Sequence, residues 1–142
     1  MLKKTLNKAL EICYESHKDQ VDKAGKPYYL HPIQVALMCS TKQEKTVALL
    51  HDVIEDTNCT INDLVKIGFD NEIIEAVECL TKREGEQYEN YIKRVNQNPI
   101  ARRVKINDMK HNSDLSRLKN PTPEDIKRVE KYKKYIQILK HS

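Results

Sequence analysis

Val47-Ala48-Leu49-Leu50-His51-Asp52-Val53-Ile54-Glu55-Asp56 is the stretch on which the reading of this chain turns. Val47, Leu50 and Ile54 recur at helical spacing, and His51 falls on the same face. An imidazole beside an apolar stripe, with three carboxylates close behind, needs partners in the folded state, because an unpaired buried charge costs several kcal/mol even after relaxation. A metal ion satisfies imidazole nitrogens and carboxylate oxygens together, since both bind in their deprotonated forms. Successive helical residues point about 100° apart. His51 and Asp52 can therefore share one ion only if it lies beside the helix and takes further ligands from other segments. Glu55 and Asp56 each follow four residues later, one turn above His51 and Asp52. The stretch predicts a helix from about 43 to 56 that carries half of a metal site and a base beside its water.

The flanking sequence predicts helices throughout. Of the 142 residues, 32% are charged and only 6% aromatic, with 3 Gly and 5 Pro, and long charged side chains favour helix. Leu2, Leu6, Leu10, Cys13 and His17 set a first helix from about 2 to 20, and residues 22 to 30, with Gly25 and Pro27, read as a loop. Pro32 suits the first turn of a helix to about Cys39. Thr60 with Asp63 forms a variant capping box for a short helix that Gly68 ends. Ile73, Ile74, Val77 and Leu80 mark a helix near 70 to 81. Residues 86 to 97 read as a thinly apolar surface helix. Asn98-Pro99 starts one running to about His111, and Thr122-Pro123-Glu124-Asp125 starts the last, with its stripe of Ile126, Val129, Ile136 and Leu139. The expectation is one all-α domain over residues 1–142, a helical bundle without repeats or linkers.

Bulk properties narrow the function classes. No apolar run approaches the ~20 residues of a membrane span, and the amphipathic N-terminus is not a signal core, so the cytoplasm is the expected location. Cys13, Cys39, Cys59 and Cys79 form no CxxC pair, which argues for reduced core cysteines over a thiolate zinc site. A net charge of +4 does not by itself imply nucleic acid and suits an anionic small substrate equally. The basic residues of the last helix, Lys127 to Lys140, read as a solvated face.

A second polar intrusion joins His51. Ile100, Val104 and Asp108 are spaced by four, so a carboxylate stands where the stripe calls for a hydrophobe, and Asn112 follows one turn on. His31, just before Pro32, is a third candidate, held by the fixed φ of the proline at little entropic cost. Singly, each is an ordinary turn or surface residue. Together His31, His51, Asp52 and Asp108 make an N₂O₂ ligand set from three segments, enough for one metal and too poor in imidazole for two. His17 and His141 read as structural or solvent-facing, and His111 as a support to the site or a surface residue. Lys23, Lys26, Arg102, Arg103, Lys105 and Lys110 are candidate phosphate contacts, Arg103 foremost.

Tyr28-Tyr29-Leu30-His31-Pro32, then Ala48 to Thr57, then Val104-Lys105-Ile106-Asn107-Asp108 with His111-Asn112, resemble the HD superfamily of metal-dependent phosphohydrolases. The closer likeness is to the (p)ppGpp hydrolase domains of the RelA/SpoT type and their small stand-alone homologues, over about Gln20 to Leu118. The resemblance implies an HD-type helical fold, with His31, His51, Asp52 and Asp108 binding Mn²⁺. It further implies that Glu55 and Asp56 handle the attacking water and its proton, and that Asn112 contacts the nucleotide sugar. The synthetase domain of the long members lies outside this sequence, so hydrolysis is the expected activity. Two positions depart from the pattern. Asp22 stands where family hydrolases pack guanine with a basic residue, with Lys23 next to it, and Ser113-Asp114-Leu115 replaces a Met-Arg-Thr-like string.

The leading expectation is thus a hydrolase that removes the 3′-diphosphate of (p)ppGpp-like nucleotides, using a divalent ion to lower the pKa of water from 15.7 toward ~7. Its partner is an anionic nucleotide, with neither membrane nor nucleic acid expected. A second enzymatic reading is a phosphatase for another nucleotide or dinucleotide phosphate. A reading from a different class is a non-catalytic module that senses nucleotide or metal, against which the intact pair Glu55 and Asp56 argues, since a pure binder needs neither.

Overall fold

The structure, a computed structural model, describes the backbone of residues 2–141 and the side chains of residues 5–141. In chain order the helices are α1 (Leu2–His17), α2 (Leu30–Met38), α3 (Lys42–Leu50), α4 (Val53–Asp56), α5 (Ile61–Ile67), α6 (Asn71–Leu80), α7 (Tyr88–Asn96), α8 (Pro99–Asn112) and α9 (Pro123–Lys140), with a 3₁₀ turn at Leu115–Arg117. Among the described residues the only extended pairing is an isolated bridge between Val21 and Pro27. The fold is an all-α bundle, as the composition and spacing require. None of these helices is long and apolar enough to cross a membrane.

Local chemistry sets the helix starts. Thr41 Oγ1 accepts the Glu44 N–H at 3.1 Å, and Asn98 Oδ1 accepts that of Ala101 at 3.0 Å. Thr60 with Asp63, and Thr122 with Asp125, close reciprocal capping boxes. Gly68 ends α5 with φ +105°, a left-handed conformation that favours glycine.

α3 is the central element, packed against α1, α2, α6 and α8. Thr46 to Leu50 are all buried, so the C-terminal half of α3 is covered on every side and does not present the single stripe that its spacing suggests. The expected helix over 43 to 56 is also two helices. His51 Nδ1 donates to the Ala48 carbonyl, the acceptor that Asp52 N–H would use in an unbroken helix. The ladder is interrupted at His51-Asp52 and resumes with Asp56 N–H to the Asp52 carbonyl at 3.0 Å.

Three further expectations are corrected. Residues 86 to 97 do not form a surface helix: Tyr91, Ile92 and Val95 of α7 are buried, and Tyr91 Oη donates to the Leu80 carbonyl at 2.7 Å. One tyrosine and two aliphatics at helical spacing suffice because an aromatic ring brings large apolar area. Ile126 is exposed, while Val129, Tyr135, Ile136 and Leu139 carry the buried face of α9. In α1 the buried line is Ala9, Cys13 and His17, and Leu10 faces outward; the side chain of Leu2 lies outside the described residues.

Candidate metal centre

Three segments converge on Asp108. α2 delivers His31 in its first turn, the α3–α4 break delivers His51 and Asp52, and α8 delivers Asp108 from its last turns. One donor atom from each of His31, His51 and Asp108 lies within 4.8 Å of the other two, and all three residues are buried. His31 Nε2 stands 2.7 Å from Asp108 Oδ1, and His51 Nε2 stands 3.3 Å from the same oxygen. Asp52 joins at the edge, its Oδ2 3.2 Å from His51 Nε2. The break in the helix is what turns His51 and Asp52 toward one point.

Partners behind these atoms fix their chemistry. A carbonyl oxygen only accepts, so the bond to Ala48 puts a hydrogen on His51 Nδ1 and aims Nε2 at Asp52 and Asp108. His31 Nδ1 meets His111 Nδ1 at 2.7 Å, the rings stacked with centroids 5.0 Å apart. Burial, Arg117 and His31 push the His111 imidazole down to about 4, so it is neutral near pH 7 and can accept the His31 Nδ1–H. That tautomer leaves a His31 lone pair 2.7 Å from a carboxylate oxygen. A bound cation would take that lone pair as a ligand; with no ion, the opposite tautomer lets His31 Nε2–H donate to the same oxygen. The donor set thus fits a divalent ion, each ligating imidazole being oriented through its other nitrogen. With only protons available, burial opposes a charged His51 ring, but Asp52 and Asp108 outweigh it and raise the ring to about 9.

The other oxygen of Asp108 is held by Lys105 Nζ at 3.1 Å. Burial would discharge that ammonium, but Asp108 and the rings of Tyr91 and Tyr88 keep it well above its ordinary range. Lys105, His31 and His51 in turn overcome burial and hold Asp108 well below the usual carboxylate range. Tyr28 Oη donates to Asp52 Oδ2 at 2.6 Å, and Asn112 Nδ2 donates to Asp108 Oδ1 at 3.2 Å.

The expected proton handlers sit one turn past the break. Glu55 accepts the backbone N–H of Lys82, which draws the segment after α6 over α4. Burial of the carboxyl ends raises both Glu55 and Asp56, and Asp52 raises Asp56 further. A cavity of about 420 Å³ opens beside His31, lined by Asp22, Lys23, Tyr28, Asn112, Asp114, Arg117, Arg128 and Tyr132 among others. Neither Glu55 nor Asp56 lines it. Lys23 pairs with Asp125 at 3.3 Å. Lys26 lies in an adjoining groove of about 730 Å³ that shares Lys23 and Arg117 with the cavity. Arg103 is not brought to either: it faces Glu44 at 3.4 Å, because five residues place it about 140° around α8 from Asp108.

Tyr28, His111, Lys105, Arg128 and Tyr132 are neighbours to which the spacing argument gave no firm role. Tyr28 stands three residues before His31, and Lys105 and His111 lie three residues on either side of Asp108, so helical proximity was the available signal. Arg128 and Tyr132 come from α9 and carry no local signal at all.

No family model matches the chain. A guanosine-3′,5′-bis(diphosphate) 3′-pyrophosphohydrolase of Borreliella burgdorferi is 43% identical over 84 residues, which are 56% of this chain and 12% of that protein. An Aquifex aeolicus protein of the same name is 37% identical over 97 residues, 62% of this chain and 14% of that one. The bifunctional (p)ppGpp synthase/hydrolase SpoT of Escherichia coli is 35% identical over 83 residues, 56% of this chain and 12% of the relative. The matched chain thus spans about an eighth of these relatives. A solved structure of a metazoan ortholog of SpoT, described as hydrolysing ppGpp and acting in starvation responses, has the same fold. Its TM-score is 0.72 at 22% identity, over 95% of this chain and 83% of that one. In sequence this chain is similar to a segment of proteins named (p)ppGpp pyrophosphohydrolases, and in fold it is an all-α bundle like that of the metazoan SpoT ortholog.

Proposed function

We propose that residues 1–142 act as one HD-type phosphohydrolase domain, which removes the 3′-diphosphate of (p)ppGpp-like nucleotides with the help of Mn²⁺. The observation that carries this reading is the convergence of His31 Nε2, His51 Nε2 and Asp108 Oδ1 beside a cavity of about 420 Å³ whose wall His31 forms in part. His31, His51, Asp52 and Asp108 would hold the ion, which when bound supplies Lewis acidity toward water and the phosphoryl oxygens. Glu55 or Asp56 takes the proton of the attacking water, a role suited to carboxyls whose pKa is raised toward the working pH. Asn112, at the cavity wall beside Asp108, suits a sugar hydroxyl, and Lys23 and Lys26 suit the phosphates. Arg103 has no place in this scheme.

Asp22 and Asp114 in the cavity wall favour the second enzymatic reading, a different nucleotide phosphate, because carboxylates repel a polyphosphate unless they are themselves engaged. Here they are engaged: Asp22 accepts the N–H groups of Ala24 and Lys26, and Asp114 accepts the N–H and the hydroxyl of Ser116. The deciding experiment measures phosphate and pyrophosphate release from ppGpp, pppGpp, the adenosine analogue, NADPH and simple nucleotides, with and without Mn²⁺. Mn²⁺-dependent pyrophosphate release from ppGpp is the expected result. Turnover confined to another nucleotide would move the assignment to the second reading, and tight binding without turnover would make the chain a sensor.

A further inference from the structure

Arg117 closes the 3₁₀ turn between α8 and α9, and it lines both the cavity beside His31 and the groove that adjoins it. It shares that position with Lys23, Ala24 and Leu118, so these residues form the threshold from one space to the other. His31, bonded to Asp108, stands on the cavity side. Lys26 and Lys119 line the groove alone.

The cations of the cavity wall are not equally committed. Lys23 and Arg128 share one oxygen of Asp125, at 3.3 and 2.9 Å. Arg117 differs. Its Nη1 donates to the His111 carbonyl at 3.0 Å, and among the described residues its side chain makes no other hydrogen bond. Its Nη2 stands 3.6 Å from Asp22 Oδ2, an ion pair without a hydrogen bond. Asp22 spends Oδ1 on the N–H groups of Ala24 and Lys26, which anchors the carboxylate in its own loop, short of the guanidinium. Most of the five N–H groups of Arg117 are therefore unmatched by protein, although only 27% of the side chain is exposed. A planar fork of such donors suits phosphate oxygens, which it can bind in pairs.

We propose that Arg117 is a specificity-determining residue: its free donors bind the 5′-phosphate chain of the nucleotide where that chain passes from the cavity into the groove, with Lys26 and Lys119 beyond it. The inference rests on the hydrolase reading. With the 3′-diphosphate at the metal ligands, the other end of the nucleotide extends toward the threshold. The site then selects nucleotides phosphorylated at both ends, and a longer 5′ chain reaches further along the groove. Asp22 works against this selection, because its charge offsets part of the pull of Arg117 on a phosphate.

Two substrates compared in the Mn²⁺-loaded full chain separate this role from a structural one: ppGpp, and guanosine 3′-diphosphate with a free 5′ hydroxyl. The wild type should prefer ppGpp in kcat/KM by about tenfold or more, chiefly through KM. Arg117→Gln should lose most of that preference, and Arg117→Lys should keep part of it. Structural damage, through the lost bond to His111 for instance, weakens both substrates alike. An equal loss on both therefore overturns the proposal, as does a wild type without the preference. Asp22→Asn still offers an oxygen to the Ala24 and Lys26 N–H groups and should increase the preference. It decides the matter if the Arg117 variants fail to fold, and an unchanged or smaller preference overturns the proposal. A readout independent of turnover is calorimetric binding of GTP and of guanosine to the metal-free chain. GTP should bind more tightly by about tenfold or more, an advantage that Arg117→Gln should lose. Equal binding of the two ligands by the wild type sinks the idea. A wild type silent toward ppGpp removes the hydrolase reading, and the GTP comparison alone then decides whether Arg117 binds a 5′-phosphate chain.

Discussion

Asp108 divides its two oxygens between two kinds of partner: Oδ1 faces His31, His51 and Asn112, and Oδ2 is held by Lys105. The lysine is what commits Oδ1 to the imidazoles, because a carboxylate with one oxygen engaged no longer rotates freely. Breaking a buried ion pair from one side costs about 3–5 kcal/mol, since the other charge is left uncompensated. Lys105→Met should therefore lower the urea midpoint of the metal-free protein and weaken Mn²⁺ binding in calorimetry, and unchanged values in both would show that Lys105 is merely adjacent. The proposed proton handlers obey a different rule. Glu55→Gln with Asp56→Asn preserves volume and removes the acceptors, so metal content should stay near wild type while kcat drops by about 10²–10⁴. A loss of metal in that variant would recast the two residues as ligands. Asp108 and His51 were legible in the sequence because each is a polar side chain on an apolar stripe. Lys105 was not separable from five other basic residues, since nothing in a one-dimensional pattern distinguishes a buried ammonium from a solvated one.

Among the elements, those closed by their own caps were readable to within a residue or two: Thr60 to Gly68, Asn98 into α8, and Thr122 into α9 all announce themselves through side chains that bond their own backbone. The α3–α4 break was not, because its cause is a ring nitrogen taking the Ala48 carbonyl, a bond that leaves hydrophobic periodicity untouched. α7 was misplaced for lack of aliphatics, and its anchor is Arg94. That guanidinium bonds both oxygens of Glu86 at 2.7 and 3.1 Å and the carbonyls of Glu78 and Thr81, stitching the turn before α7 to the end of α6. Hydrogen bonds from Arg94 and from the Arg83 N–H depress the Glu86 carboxyl from its usual 4.5 to about 2. A depressed carboxylate stabilises the fold fully above its unfolded pKa, and that contribution is lost as the pH falls toward its folded value. Urea unfolding of wild type should weaken between about pH 5 and about pH 3 more than that of Glu86→Gln, which has no proton to take up. Parallel losses in the two proteins would place acid sensitivity elsewhere, in the Asp125 box for example, where the Thr122 N–H and Arg128 likewise hold the carboxyl low.

At the scale of the whole molecule, the bundle assembles one site from the first turn of α2, the α3–α4 break and the end of α8, and α9 closes the cavity with Arg128 and Tyr132. The order of His31, His51-Asp52 and Asp108 was visible in sequence; the contribution of α9 was not, because it depends on the α8–α9 packing and on no local pattern. A site drawn from separate segments does not exist in the unfolded chain, so its occupation by metal stabilises the fold. Free Mn²⁺ at about a hundred times its Kd should add about 2.7 kcal/mol and raise the melting temperature accordingly. The same titration tests the fourth ligand. Asp52 is tied to the cluster only through His51 Nε2 at 3.2 Å and spends Oδ2 on the Tyr28 hydroxyl, so its place is the least fixed of the four. If it binds the ion, Asp52→Ala should lose most of the Mn²⁺-induced shift, and elemental analysis should fall from near one ion per chain toward none. A Zn²⁺-filled wild type would satisfy the stoichiometry equally, because N/O sites of this kind bind zinc more tightly than manganese. An Asp52→Ala chain that keeps the full shift would reduce the ligand set to His31, His51 and Asp108, and would leave Asp52 the work of holding Tyr28 against the cavity wall.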